Sequence, residues 1–190
     1  MSRNRQLKLI ADEGETIEVI PPGKIKCFIT GKLRKDTPEE RIRQDVARSL
    51  VEEYGYNKED IDIEFPIKAG SKKGRKKPRA DIVIFREGSE HLQRNIYMII
   101  ETKREDVKPS DKKEGIGQLE SYISACMNAQ FGLWVGSERL AFKVVPKEGL
   151  RELKPIPDIP KKGETTIPKP TRGSLVPAVN LKQVFKSCLL

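Results

Sequence analysis

One stretch of the chain reads Arg79-Ala80-Asp81-Ile82-Val83-Ile84-Phe85 and, after a turn, Ile96-Tyr97-Met98-Ile99-Ile100-Glu101-Thr102-Lys103. Both halves are short apolar runs rich in β-branched and aromatic residues, and the segment between them carries Gly88, Ser89 and Asn95. This pattern is typical of two neighbouring buried strands joined by a loop. The sequence therefore predicts that these two strands form the centre of a sheet.

Three charged residues stand at the ends of these predicted strands. Asp81 begins the first strand, and Glu101 and Lys103 end the second. Side chains alternate along a strand, so Glu101 and Lys103 face the same side, and antiparallel pairing would bring Asp81 beside them. Carboxylates buried next to each other repel and normally require a cation, and a set of oxygen ligands suits Mg²⁺ or Mn²⁺. A salt bridge that only caps two strand ends is the simpler interpretation.

The composition favours an anionic partner and excludes several kinds of site. Among 190 residues, 37 Lys and Arg against 28 Asp and Glu give a net charge of +9, which suggests nucleic acid. His91 is the only histidine, so zinc sites with several histidines and Ser/His/Asp triads are hard to build. Cys27, Cys126 and Cys188 are too widely spaced for a disulfide or metal framework. With a polar amino terminus and no long apolar run, the sequence predicts a cytoplasmic protein without a membrane anchor.

The amino-terminal part is predicted to be an arm of strands, residues 1–36, that packs on the core. Two candidate strands, residues 16–20 and 24–30, are separated by the turn signal Pro21-Pro22-Gly23.

The first helix is predicted to run from residue 37 to residue 55. Thr37 can cap it, Pro38 fits its first turn, and Glu40 would complete a capping box. Glu39 then has no capping role and falls, with Arg43, near the middle of the apolar stripe of the helix. Two interpretations stay open: an ion pair between Glu39 and Arg43 four residues apart, or a place for both in a functional site.

A basic segment precedes Asp81. An alternating strand, residues 61–67, is followed by a run without acidic residues that contains Lys68, Lys72, Lys73, Arg75, Lys76, Lys77 and Arg79. Such a run is usually a solvated hairpin tip, but here it leads directly to the carboxylate cluster. It would hold the phosphates of a duplex by contacts that do not depend on sequence.

The second half of the chain is predicted to complete the core and then leave it. A helix at residues 111–128 carries Gln118 and Tyr122 on one flank, and strands follow at 131–135 and 140–145. The core domain is thus predicted to span residues 37–146. Seven of the 13 prolines lie between residues 146 and 177, which indicates that 147–190 form a linker and the start of a following domain, with the chain a fragment of a longer protein.

Taken together, the chain resembles the PD-(D/E)xK nuclease core, and most closely the amino-terminal nuclease domain of type I restriction enzyme restriction subunits. The resemblance covers residues 37–145 and rests on four elements in order: Thr37-Pro38-Glu39-Glu40 with Arg43, Arg79-Ala80-Asp81-Ile82-Val83, Ile99-Ile100-Glu101-Thr102-Lys103, and Gln118-Leu119-Glu120-Ser121-Tyr122. It departs from the pattern at Ala80, where the motif name has proline. It implies a restriction-endonuclease-like α/β fold with a mixed central sheet flanked by helices.

The resemblance also implies how the charged cluster would work. Asp81 and Glu101 would hold Mg²⁺, with the Thr102 backbone carbonyl completing the site, and Mn²⁺ is possible in its place. Lys103 would orient the attacking water or stabilise developing charge.

Further residues are implied in supporting positions. Glu39 would act through a water molecule near the metal, and Gln118 and Tyr122 would support the site or touch the DNA backbone. Arg43 would support the same site.

Three functions remain open at this stage. The leading prediction is a DNA endonuclease domain without sequence preference, working with methyltransferase and specificity subunits, and with ATP only if a motor domain follows. The second is a nucleic-acid-binding or assembly module of the same fold that does not cleave. The third is a structural salt-bridge cluster without a nucleic-acid partner.

Overall fold

The computed structural model describes residues 8–10, 16–68, 78–147 and 149–164. These residues form an α/β fold with two α-helices and ten strands. The elements are β1 (Lys8–Ile10), β2 (Thr16–Glu18), β3 (Lys24–Lys26), β4 (Leu33–Lys35), α1 (Pro38–Glu52), β5 (Ile61–Pro66), β6 (Arg79–Phe85), β7 (Ile96–Thr102), α2 (Ile116–Ala125), β8 (Phe131–Val135), β9 (Arg139–Lys147) and β10 (Leu150–Ile156).

A mixed sheet of six strands, in the order β10-β9-β8-β7-β6-β5, forms the centre of the fold. β7 and β8 are parallel and are joined through α2, and the other neighbours are antiparallel. β6 and β7 pair with Ile82 opposite Ile100 and Val83 opposite Ile99. The predicted antiparallel pair at the centre of a mixed α/β sheet is therefore confirmed.

The two helices cover opposite faces of this sheet. Because side chains alternate along a strand, Ile82 and Ile100 pack in the cluster under α1, whereas Val83 and Ile99 pack in the cluster under α2. Among the described residues, neither helix is both long and apolar enough to cross a membrane.

Strand β5 changes face at Glu64. Ile63 packs with the cluster under α1, whereas Phe65 packs with the cluster under α2. Glu64 lies between them in the left-handed region, with a φ of 56°. This conformation is uncommon for a residue other than glycine and marks local strain. The strain is located next to the end of β6 that carries Asp81.

Helix α2 is shorter than predicted: it begins at Ile116, whereas the sequence suggested a helix from residue 111. The Asp111 carboxylate accepts the backbone N–H groups of Lys113 and Glu114 and holds this segment in a turn. At Gly115, an added Cβ would lie 2.3 Å from the Pro109 carbonyl oxygen. The close approach of backbone at this glycine sets the start of the helix.

Residues 150–156 were predicted to lie in a linker, and this prediction is wrong. They form β10, the edge strand that pairs with β9. The proline-rich sequence is compatible with an edge strand, because Pro155 lacks only an N–H that an edge strand can do without. Beyond it, Ile159 is buried, and the Tyr56 hydroxyl donates to the Pro160 carbonyl at 2.8 Å. Residues 165–190 lie outside the described part of the chain.

The predicted strand at 24–30 ends at Lys26, because the chain turns there. Cys27 N–H donates to the Lys32 carbonyl, and Gly31, with a φ of 68°, donates to the Cys27 carbonyl. The turn joins β3 to β4 in a hairpin that the sequence did not indicate. This hairpin brings Arg34 to the amino-terminal end of α1.

Candidate active site

Asp81, Glu101 and Lys103 meet at the end of β6 and β7, where their strand positions place them. Lys103 Nζ lies 3.1 Å from Glu101 Oε2 and 3.7 Å from Asp81 Oδ2. Glu101 Oε1 accepts the backbone N–H of Asp81 at 3.2 Å. All three side chains are buried, and Glu101 has no exposed surface. The structure thus brings together two carboxylates and an ammonium group at the end of the central strands.

The backbone fixes this cluster from two directions. The Thr102 N–H donates to Asp81 Oδ2 at 2.9 Å, and the Thr102 hydroxyl lies 3.3 Å from the same oxygen. The Lys103 N–H donates to the Val135 carbonyl at 2.7 Å. The site therefore depends on the sheet contacts of β7 with both β6 and β8.

The electrostatics of the cluster differ from those of an ordinary salt bridge. Burial, followed by the charge of Asp81, raises the pKa of Glu101 from 4.5 to about 8. Burial lowers the pKa of Lys103, but Glu101 and Asp81 raise it overall, so the ammonium keeps its proton. Two buried carboxylates against one ammonium leave an excess of negative charge.

Arg43 of α1 supplies a further cation to the cluster. Its Nη2 donates to Asp81 Oδ1 at 2.7 Å, and its Nη1 lies 2.6 Å from Glu40 Oε2 and 3.3 Å from Glu64 Oε1. Arg43 thus pairs with these three carboxylates. An ion pair with Glu39, one of the two interpretations that the sequence left open, is not among its contacts in the described residues.

The predicted capping box forms only in part. Thr37 Oγ1 accepts the Glu40 N–H at 3.1 Å, as expected. The Glu40 side chain does not return to the cap, because its oxygens accept from Arg43 and from Gln44 Nε2, both at 2.6 Å. Glu40 is therefore the fully buried carboxylate of this helix. A buried guanidinium competes better for it than a backbone N–H does.

Glu39 lies half-buried beside the cluster. Burial raises its pKa, and the next largest cause is the charge of Asp81, followed by the opposing charge of Lys103. The charges of Asp81 and Lys103 therefore act on the pKa of this carboxylate in opposite directions.

Helix α2 contributes a hydrogen-bonded pair. Gln118 Nε2 donates to the Tyr122 hydroxyl at 2.9 Å, as their spacing of four residues allows. Burial raises the pKa of Tyr122, and the charges of Glu101 and Lys103 also act on it. Tyr122 packs in one cluster with Val83 and Ile99, and strand alternation gives these two residues the sheet face of Asp81 and Glu101.

Only the end of the predicted DNA-binding segment is described. Arg79 is exposed, with Nη1 at 3.9 Å from Glu64 Oε2. The other members lie outside the described residues: Lys72, Lys73, Arg75, Lys76 and Lys77.

Two residues at the site, Arg34 and Glu64, were not predicted from the sequence. Arg34 lies 2.9 Å from Glu40 and also contacts Glu64. Glu64 had a detectable signal, because an alternating strand that pairs with β6 brings it next to Asp81. Arg34 had none, since the predicted strand ends at residue 30 and the sequence does not indicate the β3–β4 hairpin that carries Arg34.

The donor set fits a divalent cation. Asp81 and Glu101 supply hard oxygen ligands, and a cation between them would offset their repulsion. Within the described ranges, no three Asp, Glu, His or Cys side chains are placed to hold a metal ion together. Mg²⁺ usually binds through one or two carboxylates and keeps several waters, and Asp81 and Glu101 supply two carboxylates.

The raised pKa of Glu101 predicts how stability changes with pH. Between pH 4.5 and about 8, the native protein keeps a proton that the unfolded chain has lost, so the free energy of unfolding falls as pH rises. We expect the thermal midpoint of the wild type in EDTA to fall more steeply between pH 5 and 8 than that of Glu101→Gln, in melts followed by circular dichroism. The exposed Glu120→Gln is the control, and parallel curves for wild type and Glu101→Gln would contradict the prediction.

The fold and the site define an α/β domain with a buried carboxylate–lysine cluster where its two central strands end. Residues 38–160 match the family described as Type I restriction enzyme R protein N terminus (HSDR_N). The match covers more than half of the chain, and the chain therefore belongs to this family. The match confirms the resemblance predicted from the four motifs. No curated protein and no solved structure matches the chain.

Proposed function

We propose that the chain is the Mg²⁺-dependent DNA endonuclease domain of a type I restriction-modification system, built on a PD-(D/E)xK core. The main support for this proposal is the convergence of Asp81, Glu101 and Lys103. Their side chains form one buried group where the two central strands meet. The membership of residues 38–160 in a family of restriction enzyme R proteins supports the same function.

Asp81 and Glu101 would hold the Mg²⁺ ion, together with the Thr102 backbone carbonyl. When bound, the ion supplies polarisation of the scissile phosphate and lowers the pKa of water. Lys103 keeps its ammonium charge among the carboxylates, and it would orient the attacking water and stabilise charge that develops on the phosphate. The carboxylate of Glu39 would accept a hydrogen bond from water at the site.

The remaining residues position the site and its substrate. The Gln118–Tyr122 pair supports the side of the cluster that faces α2. The basic segment that ends at Arg79 would hold phosphates of double-stranded DNA without reading bases. Specificity and methyltransferase subunits would select the DNA sequence. ATP would be needed only if a motor domain follows, and the protein would act in the cytoplasm.

Calorimetry with Mg²⁺ and Mn²⁺ tests this function on the chain as it stands. We expect the wild type to bind either ion, and Asp81→Ala and Glu101→Ala to lose binding, because each removes one of the two carboxylates. Asp106→Ala is the matched control, since Asp106 is exposed and lies outside the cluster.

Cleavage of plasmid DNA in the presence of the partner subunits completes the test. Cleavage that depends on Mg²⁺ and is lost in Asp81→Ala supports the endonuclease. A wild-type chain that binds DNA but neither binds a divalent ion nor cuts would identify a binding or assembly module instead.

A further inference from the structure

Both oxygens of Asp81 are engaged by the protein. Oδ1 accepts from Arg43 Nη2 at 2.7 Å. Oδ2 accepts the Thr102 N–H at 2.9 Å and lies 3.7 Å from Lys103 Nζ. A divalent cation bound to Asp81 would lie within a few Å of the Arg43 guanidinium or the Lys103 ammonium, so like charges would repel one another in a buried site. Since the Thr102 N–H belongs to a strand, it is fixed, and the side chains of Arg43 and Lys103 are the groups that can move.

Arg43 and Lys103 differ in the acceptors that remain to them. The described ion pairs of Lys103 are with Glu101 and Asp81, the two residues that a cation would bind. Arg43 has two further carboxylates within reach, Glu40 at 2.6 Å and Glu64 at 3.3 Å. Arg43 can therefore leave Asp81 and remain paired, which matters because an unpaired buried charge is costly.

The surroundings of Arg43 offer space for this movement. A cavity of about 410 Å³ lies beside it, lined by Leu33, Arg34, Lys35, Thr37, Glu39, Glu40, Arg43 and Glu64. Arg43 is only 7% exposed, yet its Nε has no hydrogen-bond partner among the described residues. Its position against Asp81 thus leaves one buried donor unsatisfied, a condition that proteins normally avoid.

From these contacts, we propose that Arg43 is an exchangeable counter-ion that competes with the divalent cation for Asp81. Without the cation, its guanidinium neutralises Asp81. When the cation binds, the guanidinium leaves Asp81 and stays paired with Glu40 and Glu64. This inference rests on the proposed function, because it requires a cation at Asp81 and Glu101. It adds that the affinity for the cation is set partly by an arginine that the cation displaces.

If the Arg43 guanidinium competes with the cation for Asp81, removing Arg43 should tighten metal binding. We expect Arg43→Gln to bind Mn²⁺ about tenfold more tightly than the wild type in calorimetry, within the ~5–150-fold range of coupled equilibria. If Arg43 served only to position Asp81, the same variant would bind Mn²⁺ more weakly. Equal or weaker binding overturns the inference. Arg41→Gln is the matched control, because Arg41 lies on the same helix, is exposed and pairs with Asp36.

Glu64 provides a second and independent measurement. Glu64→Gln removes one acceptor of the displaced guanidinium. When this change is made in the wild-type protein, we expect Mn²⁺ binding to become several-fold weaker. When it is made in the Arg43→Gln variant, we expect no effect on Mn²⁺ binding. Equal weakening in both backgrounds would show that Glu64 acts through its charge alone and would overturn the exchange. If Arg43→Gln does not fold, Arg43→Lys takes its place in both measurements, since the shorter head group cannot bridge Asp81 and Glu40 together.

The outcomes separate this inference from the proposed function. If the wild type binds Mn²⁺ through Asp81 but Arg43→Gln binds no more tightly, only the exchange fails. If neither protein binds Mn²⁺, the metal site itself fails, and the proposed function fails with it.

Discussion

Replacing Lys103 by methionine is expected to slow DNA cleavage by about 10²–10³-fold, the typical loss when one group that stabilises a developing charge is removed. Lys103 carries the only ammonium group paired with Glu101 among the described residues, with Nζ at 3.1 Å from Oε2. Methionine has a similar length and fits a buried position, so the change removes the charge with little loss of packing. Mg²⁺ binding should persist, because both carboxylates remain.

The measurement is single-turnover cleavage of plasmid DNA with saturating enzyme, together with calorimetry for Mg²⁺. Lys108→Met is the matched control, since Lys108 is exposed and lies five residues further along the chain. A Lys103→Met protein that cuts at the wild-type rate would contradict a catalytic role. One that loses Mg²⁺ binding as well would show that Lys103 maintains the site without taking part in the chemistry.

Replacing Trp134 by alanine is expected to lower the free energy of unfolding by about 3–5 kcal/mol, a large part of the total of ~5–15 kcal/mol. Trp134 has no exposed surface, and its indole Nε1 donates to the Glu114 carbonyl at 3.1 Å. An added Cβ at Gly136 would lie 2.5 Å from the indole ring, so the ring fills its space on that side. The alanine variant would leave a cavity and an unpaired carbonyl.

Urea denaturation followed by circular dichroism measures this loss. Leu150→Ala is the control, because Leu150 is 76% exposed and should change the free energy of unfolding little. A loss below about 1 kcal/mol in Trp134→Ala would mean that the core closes around the smaller side chain. The segment before α2 contacts the indole through Glu114, so the variant should also disturb the position of Tyr122.

The convergence of Asp81, Glu101 and Lys103 could be predicted because it follows from local rules. Alternation places Glu101 and Lys103 on one side of β7, and the apolar runs of two short neighbouring strands favour antiparallel pairing. Tyr122 follows in the same way from helical spacing. In each case, the contact is set by a single element or by two consecutive ones.

The parts that could not be predicted depend on contacts between distant segments. Glu40 reads as a capping residue, and only the approach of Arg34 from the β3–β4 hairpin and of Arg43 explains why its side chain turns inward. The left-handed conformation of Glu64 falls where the pairing of β5 with β6 passes from Ile63 to Phe65, and it has no local signal. Strand β10 was missed since prolines favour a linker locally, whereas the open edge of β9 accepts them.

The order in which the site residues are synthesised has a consequence for the cell that makes the protein. Glu39, Asp81, Glu101 and Lys103 are all present in a growing chain before β8 (Phe131–Val135) leaves the ribosome. Until then, β7 has an unpaired edge, and the Lys103 N–H lacks the Val135 carbonyl that holds it. A nascent chain therefore carries these charged groups without an assembled centre. Under the proposed nuclease function, a chain that is still being translated would not cut the host chromosome.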